Sequence, residues 1–169
     1  SLGSGGAARQ FMQLAKRISE FDVIPVICTL NRNQKEYDHF FTEQKIIHYK
    51  LHRKTSIDPK LIISLVRICL KEKIDIIQTW QLLSGTYGLA LAKLTGRPIV
   101  ASSIRDAKPQ STFFVNTAKR VQARLCNVFI SNSEYGFLSH FKRWRKNFKV
   151  ITNGIDLDRF QAIDLLKVE

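Results

Sequence analysis

The sequence predicts an α/β fold with a doubly wound, mainly parallel sheet and helices on both faces. Three observations predict it. Strand-like apolar runs alternate with helical periodicity from Ala7 to Val150, which is the order of repeated β-α-β units. From Asp58-Pro59 onward each strand-like run is separated from the next by a helical pattern, which points to a mainly parallel sheet. The glycine-rich stretch Gly3-Ser4-Gly5-Gly6 opens the first helix, where doubly wound domains carry the turn from strand to helix. Together these describe a Rossmann-like domain whose first strand is missing, because the turn that such a strand would feed is the start of the sequence. At 169 residues the chain can bury one sizeable core.

The elements follow in order. Phe11, Leu14, Ala15 and Ile18 recur at helical spacing and predict a helix from Ala7 to about Ser19. Val23 to Leu30 reads as a buried strand with Pro25 near its start, and Ile46 to Leu51 as a second, shorter one. Asp58-Pro59 supplies an N-cap and a first-turn proline for a helix to about Lys71. Ser64, Arg67 and Lys71 form its narrow polar stripe, so most of its circumference is covered. Ile74 to Trp80 is the next strand, then a small-residue helix spans Leu82 to Leu94. Gly85 and Gly88 in that helix predict close packing, Gly96 ends it, and Pro98 precedes the strand Ile99 to Ser103. A helix near Thr112 to Leu125, a strand Val128 to Ser131 and a last helix Ser133 to Lys146 lead into the closing strand.

Composition excludes several classes. Apolar content of 44% with 24% charged residues is that of an ordinary globular protein, not a disordered or fibrous one. No apolar run approaches the ~20 residues of a membrane helix, and no basic-then-apolar leader opens the chain. Cys28, Cys69 and Cys126 are odd in number, far apart and set among aliphatic residues, so they read as buried, reduced thiols in a cytoplasmic protein. The four His show no metal-ligand spacing, and no metal is expected.

The net charge of +13 is the outlier. Between Arg105 and Lys149 ten Lys/Arg face only Asp106 and Glu134. Such an excess favours polyanionic partners: nucleic acid, phosphorylated substrates or an anionic membrane surface.

Two strings carry chemistry. Gly3-x-Gly5-x-x-Ala8 matches the dinucleotide fingerprint, and amides at a helix N-terminus bind phosphate whatever it is attached to. The place of the acidic residue that would hold an NAD ribose reads Leu30-Asn31-Arg32, which disfavours NAD and leaves NADP open through Arg32. At the other end, Phe148 to Phe160 reads as a short strand that stops at Asn153-Gly154 and continues through Ile155-Asp156 to Arg159-Phe160. Between them, Trp80 and Gln81, and Arg105 and Asp106, fall just past the carboxyl ends of strands, where open α/β sheets bind ligands.

Four runs in this order resemble the family 4 glycosyltransferases over nearly the whole chain. They are Gly5-Gly6-Ala7-Ala8-Arg9, the pair of Gln78-Thr79-Trp80 with Arg105, Val128 to Ser133, and Asn153-Gly154-Ile155-Asp156. The resemblance implies a retaining enzyme of the two-domain GT-B type, of the bacterial surface-polysaccharide kind. It moves a sugar from a nucleotide-sugar donor to a hydroxyl of a sugar, lipid-linked or glycan acceptor. On this reading residues 1–155 are the N-terminal, acceptor-side domain, and 156–169 are linker and the start of an absent donor-binding domain. Gly5, Gly6 and Arg9 then approach the donor's diphosphate. Trp80, Gln81, Arg105, Asp106 and Ser133 shape the acceptor side, and Asn153, Gly154 and Asp156 mark the interdomain junction. The histidine that many members place after one of these strands has no counterpart here. No tightly bound cofactor is implied, since the nucleotide sugar is a substrate. Half of such an enzyme is expected to be inactive alone, and without its first strand marginal in stability.

The helix Ser133 to Lys146 is expected to put Phe137, Leu138, Phe141 and Trp144 on one face and Lys142, Arg143, Arg145 and Lys146 on the other. One reading is a solvated basic face on a packed helix. The other is a peripheral contact, with Trp144 among the four cations, on the inner face of the cytoplasmic membrane. A non-catalytic basic Rossmann-like module binding nucleic acid, phosphate or NADP is the competing class. The sparse mixing of aromatic and basic residues argues against nucleic acid.

Overall fold

The computed structural model describes residues 6–30, 38–55, 58–104 and 112–154, without the side chain of Ser103. Gly3, Gly5, Arg32, Arg105, Asp106 and Asp156 lie outside the described residues, as does the predicted linker. The elements run α1 (Gly6–Arg17), a 3-10 turn (Ile18–Phe21), β1 (Val26–Thr29), α2 (Asp38–Glu43) and β2 (Ile47–Lys50). Then follow α3 (Pro59–Lys71), β3 (Ile77–Thr79), α4 (Leu82–Thr95), β4 (Ile99–Ile104), α5 (Phe113–Leu125), β5 (Val128–Ser131), α6 (Glu134–His140) and β6 (Phe148–Val150).

Among the described residues every strand pair is parallel, in line with the mainly parallel sheet predicted, but the strands form two sheets: β1-β2, and β3-β4-β5-β6. Between Ala101 and Ile104 the register of β4 against β5 slips by a residue, which returns Ile104 to the face of Ile99 and Ala101. That face, under the helices that follow β3 to β5, holds the core: Ile77, Ile99, Ala101, Ile104 and Phe129 are all buried.

The predicted caps are present. Asp58 Oδ1 accepts from Lys60 N–H at 3.0 Å, and its other oxygen accepts from Lys54 N–H at 3.1 Å. These donors favour the charged form, the Lys54 amide most, and hold the carboxyl below its usual range. Pro59 takes the first turn. Gln81 and Ser84 close a reciprocal capping box on α4, and Gly96 ends it in the left-handed region at φ 68°. Gly88 lets α4 lie directly on the sheet: a Cβ there would collide with Thr79 Cγ2 and stand 3.0 Å from Ile99 Cδ1.

Three expectations need correction. The strand predicted over Val23 to Leu30 is only Val26–Thr29, and its side chains are mostly half-buried. Ile24 before it is 82% exposed. Helix α2 escaped sequence reading, because six residues are too short to show a period.

The last helix stops at His140 instead of Lys146, and Phe141 turns extended at φ −132°, ψ 131°. Seven helical residues span about 10 Å, enough to run back along the four residues of β5. The chain must then turn to enter β6. Its aromatic residues drive that turn: Phe137 stacks on Phe148 at 4.4 Å and 8°, with Phe141 5.1 Å and Trp144 5.8 Å from the Phe148 ring. Lys142 to Lys146 therefore sit on an exposed loop, not on a helix face.

Candidate functional site at the carboxyl edge

The first turns of α1 lie at the carboxyl edge of the four-stranded sheet. Trp80, the residue after β3, donates from Nε1 to Ala7 O at 2.8 Å. Its ring meets Phe11 edge-on, with centroids 5.5 Å apart. Past β6, Gly154 O accepts from Gln10 Nε2 at 2.7 Å. β3 and β6 are the two outer strands of their sheet. One helix end therefore touches the exits of both, and the glycine turn, Trp80 and the Asn153-Gly154 junction share one place although up to 148 positions separate Gly6 from Gly154.

Other predicted residues take defined local roles there. Gln81 caps α4 and is exposed. Ser133 caps α6, its Oγ accepting from Gly136 N–H at 3.0 Å, while its own N–H donates to the buried Ser131 Oγ at 3.4 Å. Ser133 is thus occupied in holding a helix start. Gly6, Arg9, Asn153 and Gly154 are exposed. No acidic residue stands in the first turn of α1, so nothing of its own there competes with an incoming anion for the helix amides.

The basic loop lies apart from this edge. Lys142, Arg143, Trp144, Arg145 and Lys146 are all exposed, Trp144 at 48%. A groove of about 220 Å³ between α5 and the end of α6 adjoins it, lined by Asn116, Arg120, Leu138, His140 and Lys142 among others. A cavity of about 500 Å³ sits at the opposite, amino edge, walled by Ala15, Lys16, Asp22, Pro25, Lys45 and Ile47.

Burial pushes the Cys28 thiol up to about 12, helped by Cys69 beside it, and the Cys126 thiol up to about 11. Both stay protonated and poorly nucleophilic at neutral pH; Cys69 and Cys126 are buried as expected, whereas Cys28 is half-buried. Among the described residues no His, Cys, Asp and Glu cluster could hold a metal ion. No helix among them is long and apolar enough to cross a membrane.

Sequence reasoning missed one polar line. Thr29 Oγ1 lies 3.0 Å from His48 Nε2, and His48 Nδ1 lies 3.8 Å from Asp38 Oδ1. Hydroxyl, imidazole and carboxylate in a row resemble a nucleophile relay. Here Thr29 is buried and Phe41 covers the imidazole at 4.4 Å, so the row fastens α2 to β1 and β2. Burial lowers the His48 pKa, and the Asp38 charge only partly opposes it. No spacing in the sequence signals the row, since its members come from three elements.

Comparison with known proteins agrees with this architecture. The family model for Glycosyltransferase Family 4 matches residues 4–159. A search of curated proteins found no match. Among solved structures, the chain is similar to HepE (Alr3699) of Anabaena in complex with UDP-glucose, at a TM-score of 0.73 and 18% identity. The similarity covers 94% of this chain and 43% of that one. HepE in complex with UDP and glucose gives a TM-score of 0.72 at the same identity and coverage. MurG of Acinetobacter baumannii gives 0.65 at 18% identity, over 92% of this chain and 44% of that one. The chain thus spans less than half the length of these structures, and at this identity they show a shared fold. With the family match covering most of its length, the chain belongs to glycosyltransferase family 4.

Proposed function

We propose that this chain forms the acceptor-side half of a retaining glycosyltransferase that uses a nucleotide-sugar donor. In the transfer, the bond from the anomeric carbon to the diphosphate oxygen breaks and the acceptor oxygen bonds to that carbon, releasing its proton. Charge builds on the departing diphosphate. A cleft stabilises that charge best with donors fixed before the reaction begins. The opening amides of α1 and the cation of Arg9 are such donors, with Gly5 and Gly6 allowing close approach.

The observation that carries this reading is the placement of α1. Its first turns are tied to Trp80 on one side and to Gly154 on the other, at the edge where open α/β sheets bind ligands. Trp80, Gln81, Arg105 and Asp106 then border the acceptor, with Ser133 holding α6 in place beside it. Asn153, Gly154 and Asp156 lead to a donor-binding domain beyond residue 155. The exposed cations Lys142, Arg143, Arg145 and Lys146 with Trp144 suit an anionic membrane surface and a lipid-linked acceptor in cell-surface polysaccharide or glycolipid synthesis.

The test is transfer from a panel of nucleotide sugars by the protein joined to its donor-binding half, compared with the 169-residue chain alone. Transfer by the joined protein and none by this chain is the expected result. Turnover by this chain alone, or donor binding unchanged by Arg9→Ala in the joined protein, would overturn it.

A further inference from the structure

The amino edge of the two-stranded sheet carries an apolar surface that the glycosyl-transfer reading does not use. Helix α1 runs toward this edge, and β1 and β2, being parallel, both start here. Between α1 and β1, Phe21 is 75%, Val23 43% and Ile24 82% exposed, and Ile47 at the start of β2 is 42% exposed. Large apolar side chains grouped in this way, unlike single ones scattered over a surface, mark a contact site. Beside them lies the cavity of about 500 Å³, whose walls include Val23, Ile24, Pro25 and Ile47. The patch thus combines protruding apolar side chains with an apolar recess.

Its charges indicate what it meets. Lys16, Asp22 and Lys45 line the cavity, Glu20 lies two positions before Asp22, and all four are exposed. Among the described residues none of the four forms an ion pair. Two cations against two carboxylates make the patch neutral, in a chain of 27 Lys/Arg and 14 Asp/Glu. A neutral patch draws no polyanion, so nucleic acid and an anionic membrane do not fit it. The rest of the surface carries the net +13 and repels a second copy, whereas this patch does not. A two-fold axis through it can set the carboxylates of each copy among the cations of the other. Charges with no partner inside one chain then find one across the axis.

We propose that this amino-edge patch is the contact between two copies of the chain, related by a two-fold axis. Phe21 and Ile24 of both copies form its apolar centre, with the cavity taking up part of the side chains that meet there. Lys16, Glu20, Asp22 and Lys45 pair across its rim and fix the register. The contact is independent of the glycosyl-transfer reading, because the carboxyl edges lie on the far side of both copies and stay open.

Sedimentation of the protein joined to its donor-binding half tests the contact. A dimer is expected at about 10 μM. Ile24→Asp should weaken it about 100-fold, since the change enters the contact twice at about 10-fold each. Ile24 is exposed, so this variant should melt like the parent. Two charge variants separate this contact from any other. Glu20→Lys with Asp22→Asn leaves the patch cationic, and Lys16→Glu with Lys45→Glu leaves it anionic. Neither should self-associate, and an equimolar mixture of the two should form a heterodimer. Should Ile24→Asp lose its melting transition, these variants decide. The proposal fails if the parent stays monomeric up to about 100 μM. It fails equally if Ile24→Asp dimerises as tightly as the parent, if each charge variant does, or if their mixture stays monomeric.

Discussion

The indole N–H of Trp80 donates to the carbonyl of Ala7 at 2.8 Å, joining the exit of β3 to the first turn of a helix 73 positions earlier. That bond sets where α1 begins. It thereby sets where its orphan amides lie relative to the sheet's carboxyl edge.

Trp80→Phe keeps most of the ring contact with Phe11 and deletes this donor. A net cost of about 1 kcal/mol is expected, read as a fall of about 2–4 °C in Tm for a chain of this size. In the joined enzyme, transfer should fall further than stability does. An unchanged kcat/KM would separate Trp80 from the site.

Gly88→Ala tests the contact of α4 with the sheet. Alanine favours helix by up to about 1 kcal/mol, but its methyl has no room beside Thr79 and Ile99. Overpacking of about 1–3 kcal/mol should win, so chemical denaturation should show a lower midpoint. Gly6→Ala, where a Cβ meets nothing within 4 Å, should show no such penalty.

Acid should weaken the fold in two stages. His48 has a lowered pKa when folded, so the unfolded chain binds its proton more readily, and stability is full above the unfolded value of about 6.5 and falls as pH drops below it. Asp58 is a carboxylate with a lowered folded pKa, so its contribution is present above about 3.9 and is lost as pH falls through its folded value. Denaturation midpoints across pH 4 to 8 (a range of about 4 units) should flatten near neutrality in His48→Gln. A mutant profile that overlays the parent would remove His48 as the cause.

Replacing Lys142, Arg143, Arg145 and Lys146 together by Gln should abolish retention on anionic vesicles. At about 1 kcal/mol for each cation near the surface, the loss is about three orders of magnitude in partitioning. Stability should hardly change, because these side chains are exposed. Equal retention of parent and variant would confine the loop to a solvated role.

Phe137→Ala should be among the most damaging single changes. It removes the ring stacked on Phe148 and edge-on to Trp144 at 5.0 Å, for about 3–5 kcal/mol. Loss of the cooperative thermal transition is the measurement.

Much of the fold could be read from local rules. Asp58-Pro59 starts α3 and Gly96 ends α4 because cap and turn chemistry acts within a few residues. Strand β5 coincides with its predicted bounds because Val128 to Ser131 is a short apolar run between two helical patterns. The end of α6 was not legible: helical spacing from Phe137 to Trp144 is genuine, yet the same rings gain more by closing around Phe148. Helix α2 and the Thr29–His48–Asp38 row were not legible either, since both depend on side chains meeting across elements.

By itself the sequence determined the α/β order, the caps, the parallel strand direction and the family resemblance, all of which rest on short-range patterns and their succession. Only the tertiary structure decided that Ala7 meets Trp80 and Gln10 meets Gly154, so that two ends of the chain share one edge. It alone showed that among the described residues the strands fall into two sheets, β1-β2 and β3-β4-β5-β6. The physical reason is common to both: hydrogen bonds between residues far apart in sequence are chosen by how helices pack on sheets, and no local period encodes that packing.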